Sequence, residues 1–210
     1  MTGAELDKDV RRDLGALSSD NATEVARHLV MVAALLDEDP QRALEHARVA
    51  QRRAGRVGAV REAAGLAAYR AGQYDEALRE LRTARRITGS QVHLPVMADC
   101  ERGLGRPERA LEAAASPEAA RLDRAGQLEL AMVVAGARGD LGQHDAAVLV
   151  LQLPELDGRV PADLAETQDR LREAYDDALV AAGRPPRRRA APAGGPVEEV
   201  DDGVVSWEEE

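Results

Sequence analysis

A seven-residue pattern, a turn followed by the start of a helix, recurs along this 210-residue chain and limits what it can fold into. It reads GQYDEAL at 72–78, EDPQRAL at 38–44, GRPERAL at 105–111 and GQHDAAV at 142–148. Each copy carries an alanine five positions after the turn begins. These residues, Ala43, Ala77, Ala110 and Ala147, stand 34, 33 and 37 residues apart. A period near 34 is that of stacked helix-turn-helix units, none of which can bury its apolar face alone, so that neighbours supply a continuous core. The expected fold is therefore all-α: a solenoid of antiparallel helix pairs.

Apolar residues at helical spacing fill the intervals between these turns. Leu6, Val10, Leu14 and Leu17 share one face and predict a capping helix over 4–17, broken by SSDN at 18–21. Asn21 and Glu24 have the spacing of a capping box and open a helix over 21–37. Pro40 suits the first turn of the next helix, where its missing N–H leaves no partner unsatisfied, and Gly55 ends that first pair. The second pair spans 57–71 and 74–87, closed by Gly89. The third spans 91–104 and 107–115, stopped before Pro117. Residues 116–126 read as an insertion with one helical turn over PEAARLD, which accounts for the longest interval. The fourth pair spans 128–141 and 145–153, and a last helix runs from beyond Pro161 through Leu164, Leu171, Tyr175 and Leu179 to Gly183. Where its partner is due, the chain instead reads PPRRRAAPAGGP, which opposes a packed helix. The expected organisation is a capping segment over 1–21, about four pairs plus an unpaired helix over 22–183, and a disordered Pro/Arg/Gly-rich linker with an acidic tail over 184–210.

Composition narrows the function. With 2% aromatic residues and no Phe, packing must rely on small and branched side chains and hence on close helix approach. A net charge of −10 disfavours general nucleic-acid binding, which draws its affinity from clustered cations displacing counterions. Cys100, the only cysteine, cannot form an intrachain disulfide and is expected as a buried thiol near Met97 and Leu104. The N-terminus lacks the pattern of an export signal, and the longest apolar runs, such as 29–36, fall short of the ~18 residues of a membrane span. A soluble cytoplasmic protein is expected. His28, His46, His93 and His144 show no metal-ligand spacing with Cys or carboxylates, although His28 and His46 come within reach across the first pair. Gly136, Gly139 and Gly142 follow no strand and precede no Lys-Ser/Thr, and are read as helix-crossing and turn residues. The run Asp37, Glu38, Asp39 belongs to a turn, and no nucleophile elbow is present. No metal, no cofactor and no catalytic residue is expected.

Gly72, with Gly65 seven residues before it and Tyr69, Ala77 and Ala84 around it, resembles the tetratricopeptide repeat pattern, in which small residues let two helices cross closely. Ala43, Ala47 and Ala50 are the equivalents in the first pair, Ala98 and Ala110 in the third, Ala135 and Ala147 in the fourth. The resemblance covers about 22–183, and the chain as a whole looks like small actinobacterial tetratricopeptide proteins. It departs from the pattern at Arg61 and Leu94, where a bulky aromatic belongs, and at Gly55 and Gly89, where a proline ends each repeat. The resemblance implies that the first helix of each pair lines a concave groove: Val25, His28, Val32 and Leu35, then Glu62, Leu66 and Tyr69, then Asp99 and Arg102, then Glu129 and Met132.

Such a groove implies a protein-interaction module or scaffold that receives an apolar peptide or a partner helix, with no membrane partner. The clamp used by relatives to hold chaperone carboxylates is absent, since His28, Leu29, Val32, Val92 and Val96 stand where it carries Lys, Asn and Arg. The internal EEVD at 198–201 then belongs to the acidic tail. A second surface is a ladder of arginines on the convex side: Arg48 and Arg52 recur as Arg82 and Arg86, joined by Arg79 and Arg85, with Glu45 and Glu80 near enough to pair with them. Two alternatives follow, an RNA- or ribosome-associated factor using that ladder, or a non-catalytic accessory subunit of an enzyme. The tail's acids with Val204, Val205 and Trp207 are a rival occupant of the ladder or the groove.

Overall fold

A computed structural model describes residues 5–187. Among these residues there are ten α-helices, three single 3₁₀ turns and no strand. The helices are α1 (Lys8–Leu14), α2 (Ser19–Leu35), α3 (Pro40–Ala54), α4 (Gly58–Arg70), α5 (Tyr74–Thr88), α6 (Leu94–Gly103), α7 (Pro107–Ala114), α8 (Arg124–Asp140), α9 (His144–Val150) and α10 (Ala165–Ala181). They pack in pairs, α2 with α3, α4 with α5, α6 with α7 and α8 with α9, and the second helix of each pair packs against the first helix of the next. None is long and apolar enough to cross a membrane.

The turns explain the repeated motif. Gly72, Gly105 and Gly142 hold φ between +70° and +71°, a left-handed conformation that a Cβ disfavours. At the first of them the Gly72 N–H donates to the Tyr69 carbonyl at 3.0 Å and the Gln73 N–H to the Ala68 carbonyl at 2.8 Å. These two bonds satisfy carbonyls left over at the end of α4. The same pair recurs at Gly105 and Arg106, at Gly142 and Gln143, and again at Gly183 and Arg184 after α10. The copy at 38–44 closes differently. It has no positive φ, and Asp39 instead caps α3 by accepting the Arg42 N–H at 3.1 Å, with Pro40 in the first turn.

Small side chains let the helices approach. Ala43, Ala47, Ala64, Ala67, Ala68 and Ala77 are all buried, in one cluster with Leu44, Leu78, Leu81, Met97 and Cys100. Further clusters form around Leu14, Val25 and Val60, around Leu94, Ala98 and Leu130, and around Leu128, Leu151 and Leu171. The core is thus a succession of local clusters. Gly65 marks a close crossing: a Cβ there would lie 2.5 Å from Leu81 Cγ on α5.

Several expected boundaries shift for identifiable reasons. Helix α1 is shorter than 4–17, and residues 1–4 lie outside the described residues. Asn21 is not an N-cap: Ser18 precedes the helix, and Asn21 sits inside α2 with its side-chain amide donating to the Arg53 carbonyl at 3.2 Å. It thereby serves an orphan carbonyl at the end of α3 rather than the start of its own helix. Helix α8 begins before residue 128 because Asp123 accepts the Gly126 N–H at 2.8 Å and starts it at Arg124.

The disorder expected from Arg184 does not begin there. The Arg187 backbone N–H and Nε donate to Asp176 at 3.1 and 3.2 Å, its guanidinium lies 5.0 Å from the Tyr175 ring centroid, and it pairs with Asp157 at 3.0 Å. Relative to the turn glycine, Asp176 and Tyr175 occupy the places that Gly65 and Ala64 hold on α4. Where α4 offers small residues to α5, α10 offers a carboxylate and a ring, and Arg187 covers them. The remaining tail, 188–210, lies outside the described residues.

Candidate binding groove

An open cleft of about 440 Å³ lies across the first helices of the successive pairs. Leu66, Tyr69 and Arg70 of α4 form one wall, and Pro95, Val96, Asp99 and Arg102 of α6 face them. Glu129, Met132 and Val133 of α8, Arg170 of α10 and Leu36 just after α2 complete the lining. The gap exists because the backbones of α4 and α6 stand further apart than those of α6 and α8.

Side chains bridge that gap. The Tyr69 hydroxyl donates to Asp99 Oδ2 at 2.6 Å, and Asp99 Oδ1 accepts from Arg102 Nε at 2.8 Å. Arg102 then reaches α8, where it pairs with Asp140 at 3.2 Å. Gly136 leaves room for the guanidinium, since a Cβ there would come within 3.2 Å of it. Burial, then the hydrogen bond to Asp99, raises the Tyr69 pKa, so the hydroxyl remains a donor. Burial also opposes charge on Arg102, but Asp99 and Asp140 outweigh it and leave the Arg102 pKa raised. Elsewhere on the wall Arg170 donates to Glu129 at 2.7 Å, and Arg70 pairs with Asp37 at 3.3 Å. The charged groups of the walls therefore have partners within the protein. What remains for a ligand is an apolar floor of Leu36, Leu66, Val96, Met132 and Val133.

Of the residues expected to line a groove, Leu66, Tyr69, Asp99, Arg102, Glu129 and Met132 come together in this cleft. Val25 and Val32 do not belong to a ligand-facing strip: they are 0% and 4% exposed and lie in the core clusters around Leu14 and Leu44. A stripe at spacing 25, 28, 32 marks one helix face, and here that face is covered by neighbouring helices. His28 turns to His46, Leu35 packs partly buried against the core, and the Glu62 carboxylate lies 3.8 Å from His93 Nε2. The His93 ring holds the Glu62 carboxyl below its ordinary pKa, against the effect of burial. Leu36, Arg70, Pro95, Val96, Val133 and Arg170 were missed. Three of them, Leu36, Arg70 and Val133, adjoin an expected groove residue in sequence, and Val96 lies three residues before Asp99 on the same helix, whereas Pro95 and Arg170 carry no such signal.

His28 and His46 meet across α2 and α3, with Nδ1 to Nδ1 at 2.8 Å. One ring must donate and the other accept, so the contact requires an unprotonated nitrogen. Burial first, then His46, Arg53 and Arg52, lower the His28 pKa from 6.5, with Glu24 opposing. The unfolded chain therefore binds more protons than the folded one between the lowered value and 6.5. The His28 contribution to stability is complete above pH 6.5 and is lost as pH falls through the folded value. Urea midpoints taken from pH 7.5 down to 5 are expected to fall more steeply for the parent chain than for His28→Gln. Equal slopes would remove the linkage.

Cys100 is fully buried, and burial, then Asp99 and Glu101, push its thiol up to about 12, so it is a core residue. No group of three or more His, Cys, Asp or Glu among the described residues could hold a metal ion. The arginine ladder is divided rather than uniform. Arg48 makes two hydrogen bonds to Glu76, not to Glu45, and Arg82 donates to Glu101 at 2.6 Å. Arg85 reaches Glu118 at 3.1 Å, while Arg52 and Arg86 stand exposed. Arg48 thus joins α3 to α5 and Arg82 joins α5 to α6, so half of the ladder ties helices to one another. Fold and cleft together define an all-α protein of paired helices with an open cleft over an apolar floor. No model of a known family, no curated protein and no solved structure matches the chain.

Proposed function

We propose that the paired helices form a tetratricopeptide-like solenoid and that the protein acts as a non-catalytic interaction module, holding the apolar face of a partner peptide or helix in the cleft between α4, α6 and α8. The recurring glycine turn after α4, α6, α8 and α10 supports the array. The uncovered apolar floor between walls whose charges are already paired carries the binding reading. A ligand there gains from apolar burial without having to neutralise a buried charge, which suits the helix-in-groove mode. Internal pairing of Arg48 and Arg82 leaves the nucleic-acid alternative with fewer available cations.

The test is retention of a protein from native cell extract by the full chain. Leu66→Glu and Met132→Glu are expected to reduce retention at least about tenfold, equivalent to about 1.4 kcal/mol, with unchanged helical circular dichroism. Val92→Glu, at a position 56% exposed and outside the cleft, is expected to leave it unaltered. Retention that ignores both cleft substitutions, or that instead falls with Arg48→Glu and Arg82→Glu, removes the proposal.

A further inference from the structure

We infer that the cleft has an occupant within the chain itself: the segment around Val204, Val205 and Trp207 docks on its apolar floor and must be displaced by any partner. This rests on the binding reading of the cleft given above. Three observations carry it. The first is hydrogen-bond complementarity. The three guanidiniums of the cleft lining, Arg70, Arg102 and Arg170, are matched in charge by Asp37, Asp99, Asp140 and Glu129, so the rim offers donors rather than net positive charge. Residues 198–210 contain seven carboxylates and no Lys or Arg. Acidic flanks on both sides of an apolar VVSW suit a floor of Leu66, Val96 and Met132 edged by arginines, each of which retains further N–H donors.

The second is the point of departure. Arg187 is fastened to Asp176 and Tyr175 on α10, and Arg170 of the same helix lines the cleft. The following residues therefore leave from the helix that forms one end of the groove.

The third is reach. From α10 to α4 is three helix-to-helix steps, about 30 Å at about 10 Å each. The stretch 188–203 spans about 50 Å at full extension, and its Ala/Pro/Gly-rich sequence contains no acid before residue 198. Tethering of this kind raises the local concentration to the millimolar range, so even a weak contact fills the cleft.

Trp207 is the only tryptophan in the chain, which makes its emission a direct report. In the full chain, the emission maximum is expected to be blue-shifted and acrylamide quenching reduced relative to the same chain unfolded in urea. Leu66→Glu and Met132→Glu should each abolish the shift while helical circular dichroism is preserved, and dilution should leave it unaltered. An emission maximum equal to that of the unfolded chain overturns the proposal. So does a shift that survives both cleft substitutions, which places the tryptophan elsewhere, or one that vanishes on dilution, which assigns it to a second copy. Partner retention by the Trp207→Ala chain separates this proposal from the binding reading. A docked Trp207 requires increased retention in that variant. Exposed Trp207 with cleft-dependent retention removes the tail alone, and docked Trp207 with no partner retained under any substitution removes the external ligand alone.

Discussion

Arg61→Leu is expected to destabilise the fold by about 3 kcal/mol, at the lower end of the range for breaking a buried ion pair. Glu80 on α5 is 1% exposed, and Arg61 Nη1 on α4 donates to its Oε2. Removing the guanidinium strands a carboxylate where water cannot reach it. It also deprives the Gly55 carbonyl of the Arg61 Nε bond at 2.7 Å. The second partner of Glu80, Arg79 at 3.1 Å, has a side chain 64% exposed and moderates the loss. Arg61→Leu with Glu80→Leu should recover stability to within about 1 kcal/mol of the parent, because a buried pair exchanged for apolar groups is often near neutral. Urea denaturation of the parent, the single variants and the double variant gives the answer. A loss below about 1 kcal/mol in Arg61→Leu would mean that Glu80 has another way of being satisfied.

The same substitution at two helical glycines is expected to have opposite signs. Gly65→Ala places a methyl 2.5 and 2.6 Å from Leu81 Cγ and Cδ2, and 3.2 Å from the Leu81 backbone nitrogen. Leu81 is 1% exposed and has no space to retreat, so α4 and α5 must separate. Overpacking of this kind destabilises by about 1–3 kcal/mol, more than the gain of about 1 kcal/mol from replacing glycine in a helix. Gly139 in α8 has nothing within 4 Å of its would-be Cβ, and Gly139→Ala should stabilise by about 0.5–1 kcal/mol. Thermal midpoints moving down for the first and up for the second are the expected result. A rise for Gly65→Ala would mean that the crossing of α4 and α5 is looser than the contact with Leu81 requires. Gly139, for its part, belongs to no helix crossing, contrary to the reading of 136, 139 and 142 as one set.

Helix pairing and the glycine turns were legible because both are local. A left-handed turn at Gly72 needs only its own residue and the preceding helix, and Ala77 announces a close contact whatever its partner. The groove was legible only in part. On α4 and α6 the expected positions Leu66, Tyr69, Asp99 and Arg102 meet across the cleft. On α2 the same reasoning chose Val25 and Val32, which are core. A helical stripe shows that one face is apolar but not whether a neighbour covers it, and α2 is covered by α1, α3 and α4. Arg187 was equally hidden, since nothing in PPRRR says that Tyr175 and Asp176 stand ready to receive it.

Sequence by itself therefore determined an all-α chain of paired helices, the left-handed glycines that turn them and the small residues that let them cross, since each depends on a side chain and its immediate neighbours. Only the tertiary structure decided which apolar faces are buried and which remain open as a cleft. It also decided that Arg48, Arg61 and Arg82 bind carboxylates on other helices and that α10 is closed by Arg187. Those outcomes depend on the distance between elements far apart in the chain, which no local periodicity encodes.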